Sequence, residues 1–312
     1  MPADLFVDEF LGSMLNIKAL RENPDLVKAA GRKKHTPCDE PVDRILELDD
    51  QRKKLLFESE ELRAAQKKVG KEIAALAGEE KQARIGEMGE LSDRIKGYEK
   101  KLGPLDEELN ELMLLVPNIP AEDVPDGETD EDNVLMREVG ELPEFDFPFK
   151  DHLALGEELD LIDMKGAAKL AGSRTYMLKN EGALLELAVL QFTLERLVEK
   201  GFSPMLVPTL VRREPMVGTA YFPGGEEQAY ACERDGKYLI GTSEVPVTAY
   251  HSGEILDEAD LPMLYAGYST CYRREAGAAG RDTRGLYRIH QFNKVEQVIL
   301  CRNDEEESLR MH

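Results

Sequence analysis

The stretch from Arg273 to Glu296 reads RREAGAAGRDTRGLYRIHQFNKVE and concentrates residues that could bind a phosphorylated ligand. Its arginines outnumber its internal acids, although the whole chain of 312 residues carries a formal net charge of −22. Arginine suits phosphate because its planar guanidinium donates paired hydrogen bonds to the oxygens. Each charge-assisted hydrogen bond of this kind contributes about 1.5–3 kcal/mol. The arginines are Arg273, Arg274, Arg281, Arg284 and Arg288.

Two predicted strands flank a glycine-rich loop in this stretch. We place the strands at 264–275 and 286–300, with the loop at about 276–285. Side chains alternate along a strand, so Arg273 and Glu275 should share one face of the first strand. One face of the second strand should carry Arg288, His290, Phe292, Lys294 and Glu296, and the other Ile289, Gln291, Asn293 and Val295.

That first face combines cations, an aromatic ring and a carboxylate on one surface. An arginine could bind phosphate, the ring could stack on a base, and the carboxylate could bind an ammonium group. The pattern therefore predicts a site for a nucleotide and an amino acid. An ion-paired β-hairpin with a flexible tip is the other interpretation open at this point.

The composition narrows the class of protein. The chain is 42% hydrophobic and 33% charged, which is typical of a soluble globular protein, and its length favours two domains. No apolar run approaches the length of a membrane span, so no membrane partner is predicted. The scattered cysteines predict free thiols and a cytoplasmic protein without a dedicated metal site. They are Cys38, Cys232, Cys271 and Cys301.

Heptad patterns in the first half predict the elements of an N-terminal domain. Two runs separated by Gly78 indicate two long helices that form an antiparallel coiled-coil hairpin, each about 50 Å long at a rise of 1.5 Å per residue. Gly103-Pro104 should kink the second helix. The first run is Leu48, Leu55, Leu62, Val69 and Leu76, and the second is Met88, Ile95, Leu102, Leu109 and Val116.

The first long helix is basic between Arg52 and Glu72, with seven Lys or Arg residues against four acids. Two interpretations stay open: a solvated helix face, or a surface that touches a polyanion along its side. Residues 116–133 then carry seven acids and no base, which predicts an extended linker.

The second half changes to a strand period around few helices. The segment 183–200 should form an amphipathic helix that ends at Gly201. The remaining runs predict a mostly antiparallel β-sheet, so the fold class is α+β. The chain has neither G-x-G-x-x-G nor a P-loop sequence, so any nucleotide must bind by another architecture.

The residues 273–296 closely resemble motif 2 of the seryl-tRNA synthetases, a family of class II aminoacyl-tRNA synthetases. Other segments resemble the same family in the same order: MLNIKALRENPDLV, VPNIPAEDVPDG, GTAYFP, GTSEVPVTAYH and LPMLYAGYSTCYRREAG. The resemblance covers about residues 14–301. It implies a tRNA-binding helical arm at 14–117, an acidic, proline-containing linker at 118–140 and a class II antiparallel core at 141–312, with 1–13 as an appendage.

The resemblance also implies roles for individual residues. Arg273 would be catalytic, gripping the α-phosphate of ATP, with Arg274 and Glu275 completing the ATP-contacting triplet. Phe292 would stack on the adenine, and Ile289 would line its pocket. The remaining implied contacts are Thr242, Ser243, Glu244 and Glu296 for serine, and Arg281 and Arg284 for the acceptor end of the tRNA.

The implied reaction forms seryl-adenylate from L-serine and ATP with Mg²⁺, then transfers the seryl group to tRNA-Ser. The resemblance further implies a homodimer, with Pro208 matching the proline of motif 1. It leaves open whether selenocysteine tRNA is also charged.

One departure from the family bears on activity: the sequence stops before any segment that matches motif 3, so we expect an incomplete core. Three interpretations stay open. The chain is a shortened seryl-tRNA synthetase, a truncated paralogue that binds tRNA or a protein partner without aminoacylation, or a coiled-coil interaction protein. The third leaves the motif 2 match unexplained. Synthetase-like enzymes that load carrier proteins lack the helical arm.

Overall fold

The structure is a computed structural model that describes residues 15–73, 76–277 and 284–312. Its contacts divide the chain into two units, Met1–Val139 and Gly140–His312. Arg281, one of the two predicted tRNA-contacting arginines, lies outside the described residues.

The first unit is helical. Pro24 occupies the first position of the second helix, as its fixed φ favours, and Asn16 caps the first with its side chain. The helices are α1 (Ile17–Glu22), α2 (Pro24–Lys33), α3 (Asp39–Ile73) and α4 (Gly78–Met113).

The long helices α3 and α4 form the predicted antiparallel hairpin. Arg44 pairs with Glu108, Arg63 with Glu99 and Glu72 with Arg84. The residue numbers on α4 therefore decrease as those on α3 increase, which makes the two helices antiparallel. The apolar core lies where α1, α2 and the far ends of the hairpin meet. Its buried residues are Leu20, Val27, Cys38, Val42, Ile45, Leu48, Leu109, Met113 and Val116.

The seam between the long helices is partly polar. Arg52 and Ser59 are buried, whereas Leu55 and Leu62 are only half-buried. The Arg52 Nε donates to Asp106 Oδ1 at 2.7 Å, which pairs the buried charge across the hairpin. α4 runs continuously through the exposed Pro104, although a proline removes one backbone donor from a helix.

The second unit contains short helices around two small sheets. Its helices are α5 (His152–Glu158), α6 (Met164–Ala171), α7 (Asn180–Glu199), α8 (Arg213–Gly218), α9 (Glu244–Thr248) and α10 (Glu305–Met311). Its strands are β1 (Ser203–Leu206), β2 (Leu210–Val211), β3 (Tyr230–Cys232), β4 (Lys237–Leu239), β5 (Met263–Tyr272) and β6 (Gln291–Leu300).

The larger sheet has the order β1-β5-β6. The pairing of β5 with β6 is antiparallel, as predicted, whereas β1 runs parallel to β5. The smaller sheet, β2-β4-β3, is antiparallel and packs over a core that includes Met216, Phe222 and Ile240.

The predicted strand bounds were wrong at the loop ends. β5 stops at Tyr272 and β6 begins at Gln291, so Glu275, Arg288 and Ile289 lie outside the strands. The reason is that other segments take the backbone donors there: Arg274 N–H donates to Gln228 O and His290 N–H donates to Arg174 O. Glu275 also has a φ of +53°, so strand alternation does not place it beside Arg273.

The helix α7 covers the sheet with one side and exposes apolar residues on another. Asn293 of β6 donates to Glu186 Oε1 at 3.0 Å, which ties α7 to the sheet. Leu185, Val189 and Phe192 recur at helical spacing and are each more than half exposed. Among the described residues, no helix combines the length and the apolar character that crossing a membrane requires.

Candidate active site

The segment between β4 and α9 carries the first group of predicted site residues. Tyr272 N–H donates to Ile240 O at 2.8 Å, which holds this segment against the end of β5. Gly241 follows, and a Cβ there would lie 2.0 Å from the Tyr221 hydroxyl. A side chain at Gly241 would overlap the Tyr221 ring in its present position, so glycine lets the backbone pass close to this ring.

Thr242 is the centre of a polar cluster with two β6 residues. Its hydroxyl donates to Glu296 Oε2 at 3.0 Å and accepts from Lys294 Nζ at 3.1 Å. Lys294 also forms an ion pair with Glu296. The Thr242 side chain is buried, whereas Lys294 and Glu296 retain 32% and 24% exposure, so the cluster is open to a small ligand.

The two residues after Thr242 have different surroundings. The Ser243 hydroxyl is fully buried and donates to Gly267 O of β5 at 2.8 Å, so it fastens the segment to the sheet. Glu244 begins α9 with an exposed side chain, and its N–H donates to the Thr242 hydroxyl at 3.2 Å.

Arg273 lies between this cluster and the aromatic ring of β6. Its guanidinium stacks over Phe292, 5.3 Å from the ring centroid. Its Nε donates to Gly241 O at 3.2 Å, one residue before Thr242. A cation, a ring face and the Thr242 cluster are therefore contiguous on one face of the sheet.

Glu275 and Arg288 lie in the cleft beyond Arg273. Arg288 Nη1 donates to Glu275 Oε2 at 2.9 Å, and the Glu275 side chain is only 12% exposed. The cleft has a volume of about 600 Å³, and Tyr221, Gln228 and Arg273 also line it. Both charge signs therefore face a space large enough for a nucleotide.

Long-range contacts hold the two ends of the loop that the arginines flank. At the first end, the Gln228 side chain donates to Ala276 O at 2.8 Å and accepts from Ala276 N–H at 3.1 Å. Arg174 donates to Glu275 O at 3.0 Å. At the second end, Leu286 N–H donates to His152 Nε2 at 3.1 Å, so His152 accepts through its unprotonated nitrogen.

The other predicted residues lie farther from the cluster or are buried. Arg274 is exposed, and its N–H donates to Gln228 O. Ile289 is 7% exposed and does not line the cleft. Arg284 is 80% exposed and lies 3.6 Å from Asp151.

Cys271 is the nearest thiol to the cluster. Burial raises its pKa, and the neighbouring Ser269, Lys294 and Arg273 offset this only in part. The buried thiol is therefore neutral near pH 7 and unsuited to nucleophilic chemistry. Across the part of the chain that the structure describes, no group of His, Cys, Asp and Glu side chains could hold a metal ion.

Several residues of the site were not singled out from the sequence. Strand alternation already placed Lys294 on the face of Phe292 and Glu296, and that signal could have found it. Gln228 and Arg174 carried no comparable signal, whereas Tyr221 belongs to the GTAYFP segment that resembles the family. Gln228 and Arg174 reach the site only through folding, from positions 48 and 101 residues away.

Two protein-family profiles match the chain. The seryl-tRNA synthetase N-terminal domain matches residues 14–120. The tRNA synthetase class II core domain (G, H, P, S and T) matches residues 230–310.

Curated relatives match over almost the whole chain. The serine–tRNA ligase of Thermobifida fusca is 43% identical over 300 residues, which is 96% of this chain and 71% of the relative. That of Deinococcus radiodurans is 42% identical over 95% of this chain and 69% of the relative. Among solved structures, the Pyrococcus horikoshii seryl-tRNA synthetase complexed with ATP is 38% identical, with a TM-score of 0.80. It is matched over 96% of this chain and 72% of its own.

Proposed function

We propose that this chain, which belongs to the seryl-tRNA synthetase family, is a serine–tRNA ligase. It uses ATP to activate L-serine as seryl-adenylate and transfers the seryl group to tRNA-Ser. The family is established by the identity and coverage of the relatives. We propose the roles of the individual residues from their geometry.

One observation carries the proposal at the level of the site. Arg273 stacks on Phe292 and donates to Gly241 O, and Gly241 directly precedes Thr242 of the polar cluster. A nucleotide site and an amino-acid site are therefore continuous through one backbone carbonyl. Activation needs this arrangement, because the carboxylate of the amino acid must reach the α-phosphorus.

The first step joins the two substrates. A serine carboxylate oxygen attacks the α-phosphorus of ATP, the bond to the bridging oxygen breaks, and pyrophosphate leaves. Arg273 neutralises the charge that develops on the phosphoryl oxygens. Glu296 and Thr242 bind the serine ammonium and hydroxyl, with Glu244 at the edge of the site. Glu275 binds the adenine beside Phe292, with Arg274 at the margin. Ile289, which the resemblance also assigns to this pocket, is buried and does not line the cleft.

The second step transfers the seryl group. A ribose hydroxyl at the 3′ end of the tRNA attacks the seryl carbonyl, and AMP leaves. Arg284, together with Arg281 of the undescribed segment, contacts the acceptor end. The neutral, buried Cys271 takes no part in either step.

Mg²⁺ enters as a companion of the ATP phosphates. The described residues contain no dedicated cluster of metal ligands. In the described part of the cleft, the single acidic residue Glu275 stands beside two arginines, Arg273 and Arg288. We therefore assign the ion to the ATP phosphates.

We assign residues 14–117 to binding tRNA, residues 118–140 to a linker and residues 141–312 to the catalytic core. The α3–α4 hairpin supports the first assignment because the basic stretch of α3 is exposed at Lys54, Lys67, Lys68 and Lys71. tRNA-Ser is the proposed RNA partner. Selenocysteine tRNA is a second proposed substrate.

Two further assignments concern assembly and location. The exposed apolar side of α7, with Leu185, Val189 and Phe192, supports a homodimer formed through this helix and the following strand up to Pro208. The four cysteines are free thiols, which supports a cytoplasmic location.

The test is serine-dependent exchange of pyrophosphate into ATP, measured together with tRNA-Ser binding to the same chain. We expect exchange that requires serine and is not supported by alanine, because alanine has no hydroxyl group to hydrogen-bond with the Thr242 cluster. tRNA binding without any exchange would instead favour the paralogue that binds RNA and does not aminoacylate. If the chain shows no exchange and no tRNA binding, the proposal is refuted.

A further inference from the structure

The peptide at Glu275 adopts a backbone conformation that its side chain does not favour. Glu275 has a φ of +53°, in the left-handed region that a non-glycine residue adopts only at an energetic cost. β5 has ended at Tyr272, so the strand ladder does not hold this peptide. Something else must fix it.

Gln228 replaces the missing strand partner. Its backbone oxygen accepts from Arg274 N–H at 2.9 Å. Its side-chain amide then repeats the pattern on Ala276, donating to the oxygen at 2.8 Å and accepting from the N–H at 3.1 Å. Gln228 therefore hydrogen-bonds to the backbone on both sides of Glu275.

Arg174 and Arg288 complete the hold on Glu275 itself. Arg174 donates to its backbone oxygen at 3.0 Å, and Arg288 to its carboxylate at 2.9 Å. Residues from two other segments, Gln228 and Arg174, thus fix the backbone around Glu275, and Arg288 pairs with its carboxylate at the cleft.

We propose that Gln228 and Arg174 are positioning residues that set the selectivity of this site for adenine over guanine, by holding the Glu275 peptide in place. The inference rests on the proposed function, in which Glu275 faces the adenine. Adenine presents an amino donor where guanine presents a carbonyl acceptor. A rigidly held carboxylate or peptide oxygen accepts a hydrogen bond from the adenine amino group and repels the guanine carbonyl oxygen. An oxygen that is free to move discriminates less between the two bases.

The test compares the affinities of the intact chain for ATP and GTP by equilibrium titration. Gln228→Ala removes both side-chain hydrogen bonds, and Gln228→Glu keeps the size but loses the donor to Ala276 O at neutral pH. We expect ATP affinity to fall roughly five- to tenfold in Gln228→Ala, with GTP affinity little changed. Gln228→Glu should also lose selectivity while keeping the fold.

Two controls separate positioning from general damage. Gln297→Ala removes an exposed amide from β6 and should leave the ATP-to-GTP ratio unchanged. Hydrogen exchange at Ala276 N–H should accelerate in Gln228→Ala and stay slow in Gln297→Ala, because only the first removes its acceptor.

The outcomes distinguish this inference from the proposed function. If the unaltered chain prefers ATP and both Gln228 variants keep the same preference, the positioning inference is wrong and the function stands. If the unaltered chain binds ATP no better than GTP, the adenine site and the inference fail together. A fall in ATP and GTP affinity by the same factor also overturns the inference, since it reports a structural role alone.

Discussion

At the scale of single residues, the position of Arg273 is the feature with the sharpest consequence. Its guanidinium donates to Gly241 O and stacks on Phe292, and these contacts fix it at the junction of the two proposed substrate sites. A group fixed before the reaction stabilises developing charge without reorganisation.

We expect Arg273→Ala to lower serine-dependent ATP–pyrophosphate exchange by about 10²-fold or more while leaving tRNA affinity unchanged. Exchange kinetics and filter binding measure the two effects on one preparation. Arg302→Ala is the matched control, since Arg302 is exposed and pairs with Glu307 and Glu258 instead of facing the cleft. Loss of tRNA binding with normal exchange would contradict the role of Arg273.

The sequence predicted much of the site at this scale. Alternation along β6 correctly grouped Phe292, Lys294 and Glu296 on one face, because a regular strand imposes a period of two. It failed at Glu275 and Arg288, where Gln228 and Arg174 interrupt the ladder. No local pattern contains that information, because both residues come from distant segments.

At the scale of elements, Asp49 ties α1 to α3. It is 1% exposed, and Arg21 donates to both of its oxygens, at 2.7 and 2.6 Å, while Lys53 lies at 2.7 Å. Burial acts to raise the Asp49 pKa, but the hydrogen bonds and charges of Arg21 and Lys53 outweigh it and leave the pKa below its ordinary value. The folded state therefore favours the carboxylate.

The lowered pKa contributes its full stabilisation of the folded state at pH values above the pKa of the carboxyl in the unfolded chain, about 3.9. This stabilisation is lost as the pH falls through the lower pKa of the folded state. We expect Asp49→Asn to lower the free energy of unfolding by about 2–3 kcal/mol at pH 7, with the difference shrinking below about pH 4. Urea unfolding across this pH range measures it. Asp50→Asn, 73% exposed and 3.6 Å from Lys53, should change little. An equal loss in both variants would refute the role of the buried ion pairs.

The α3–α4 hairpin is the element we assign to tRNA. Lys67 and Lys68 are exposed on the basic stretch of α3. Replacing both with alanine should weaken tRNA binding and reduce the slope of log K against log salt concentration by about 1–2, because each phosphate contact releases counterions.

The same change of charge on the other unit provides the control. Lys165 and Lys169 are exposed on α6, and their replacement with alanine should leave the salt slope unchanged. Equal slopes for both double variants would show that net charge, rather than the hairpin surface, governs tRNA binding.

The hairpin was predictable because its heptads are local, yet the details of its seam were not. Ile95, Leu102 and Leu109 are buried as the pattern predicts, whereas Met88 is 36% exposed. Burial of Arg52 depends on Asp106 of the opposite helix, which a single-helix pattern cannot register.

At the scale of the whole molecule, the apolar side of α7 governs assembly in our proposal. Phe192 is 62% exposed, so replacing it should leave the fold of one chain intact. We expect the unaltered chain to sediment as a dimer and Phe192→Arg to weaken dimerisation by about 10²-fold, because a buried aromatic anchor is replaced by a charge.

Sedimentation equilibrium measures the dissociation constant. Gln191→Arg adds the same charge one position away, about 100° around the helix, and should dimerise nearly as well as the unaltered chain. A monomeric unaltered chain, or equal dissociation constants for the two variants, would place the interface elsewhere.

The ion pair between Lys294 and Glu296 gives the proposed serine pocket one further property. A free amino acid is a zwitterion, with an ammonium and a carboxylate of its own. It can exchange partners with the resident pair, its ammonium facing Glu296 and its carboxylate facing Lys294, so every charge stays matched. An amine without a carboxylate, or a hydroxy acid without an amine, would leave one protein charge without a counterpart. We therefore expect the proposed pocket to bind singly charged analogues of serine more weakly than serine itself.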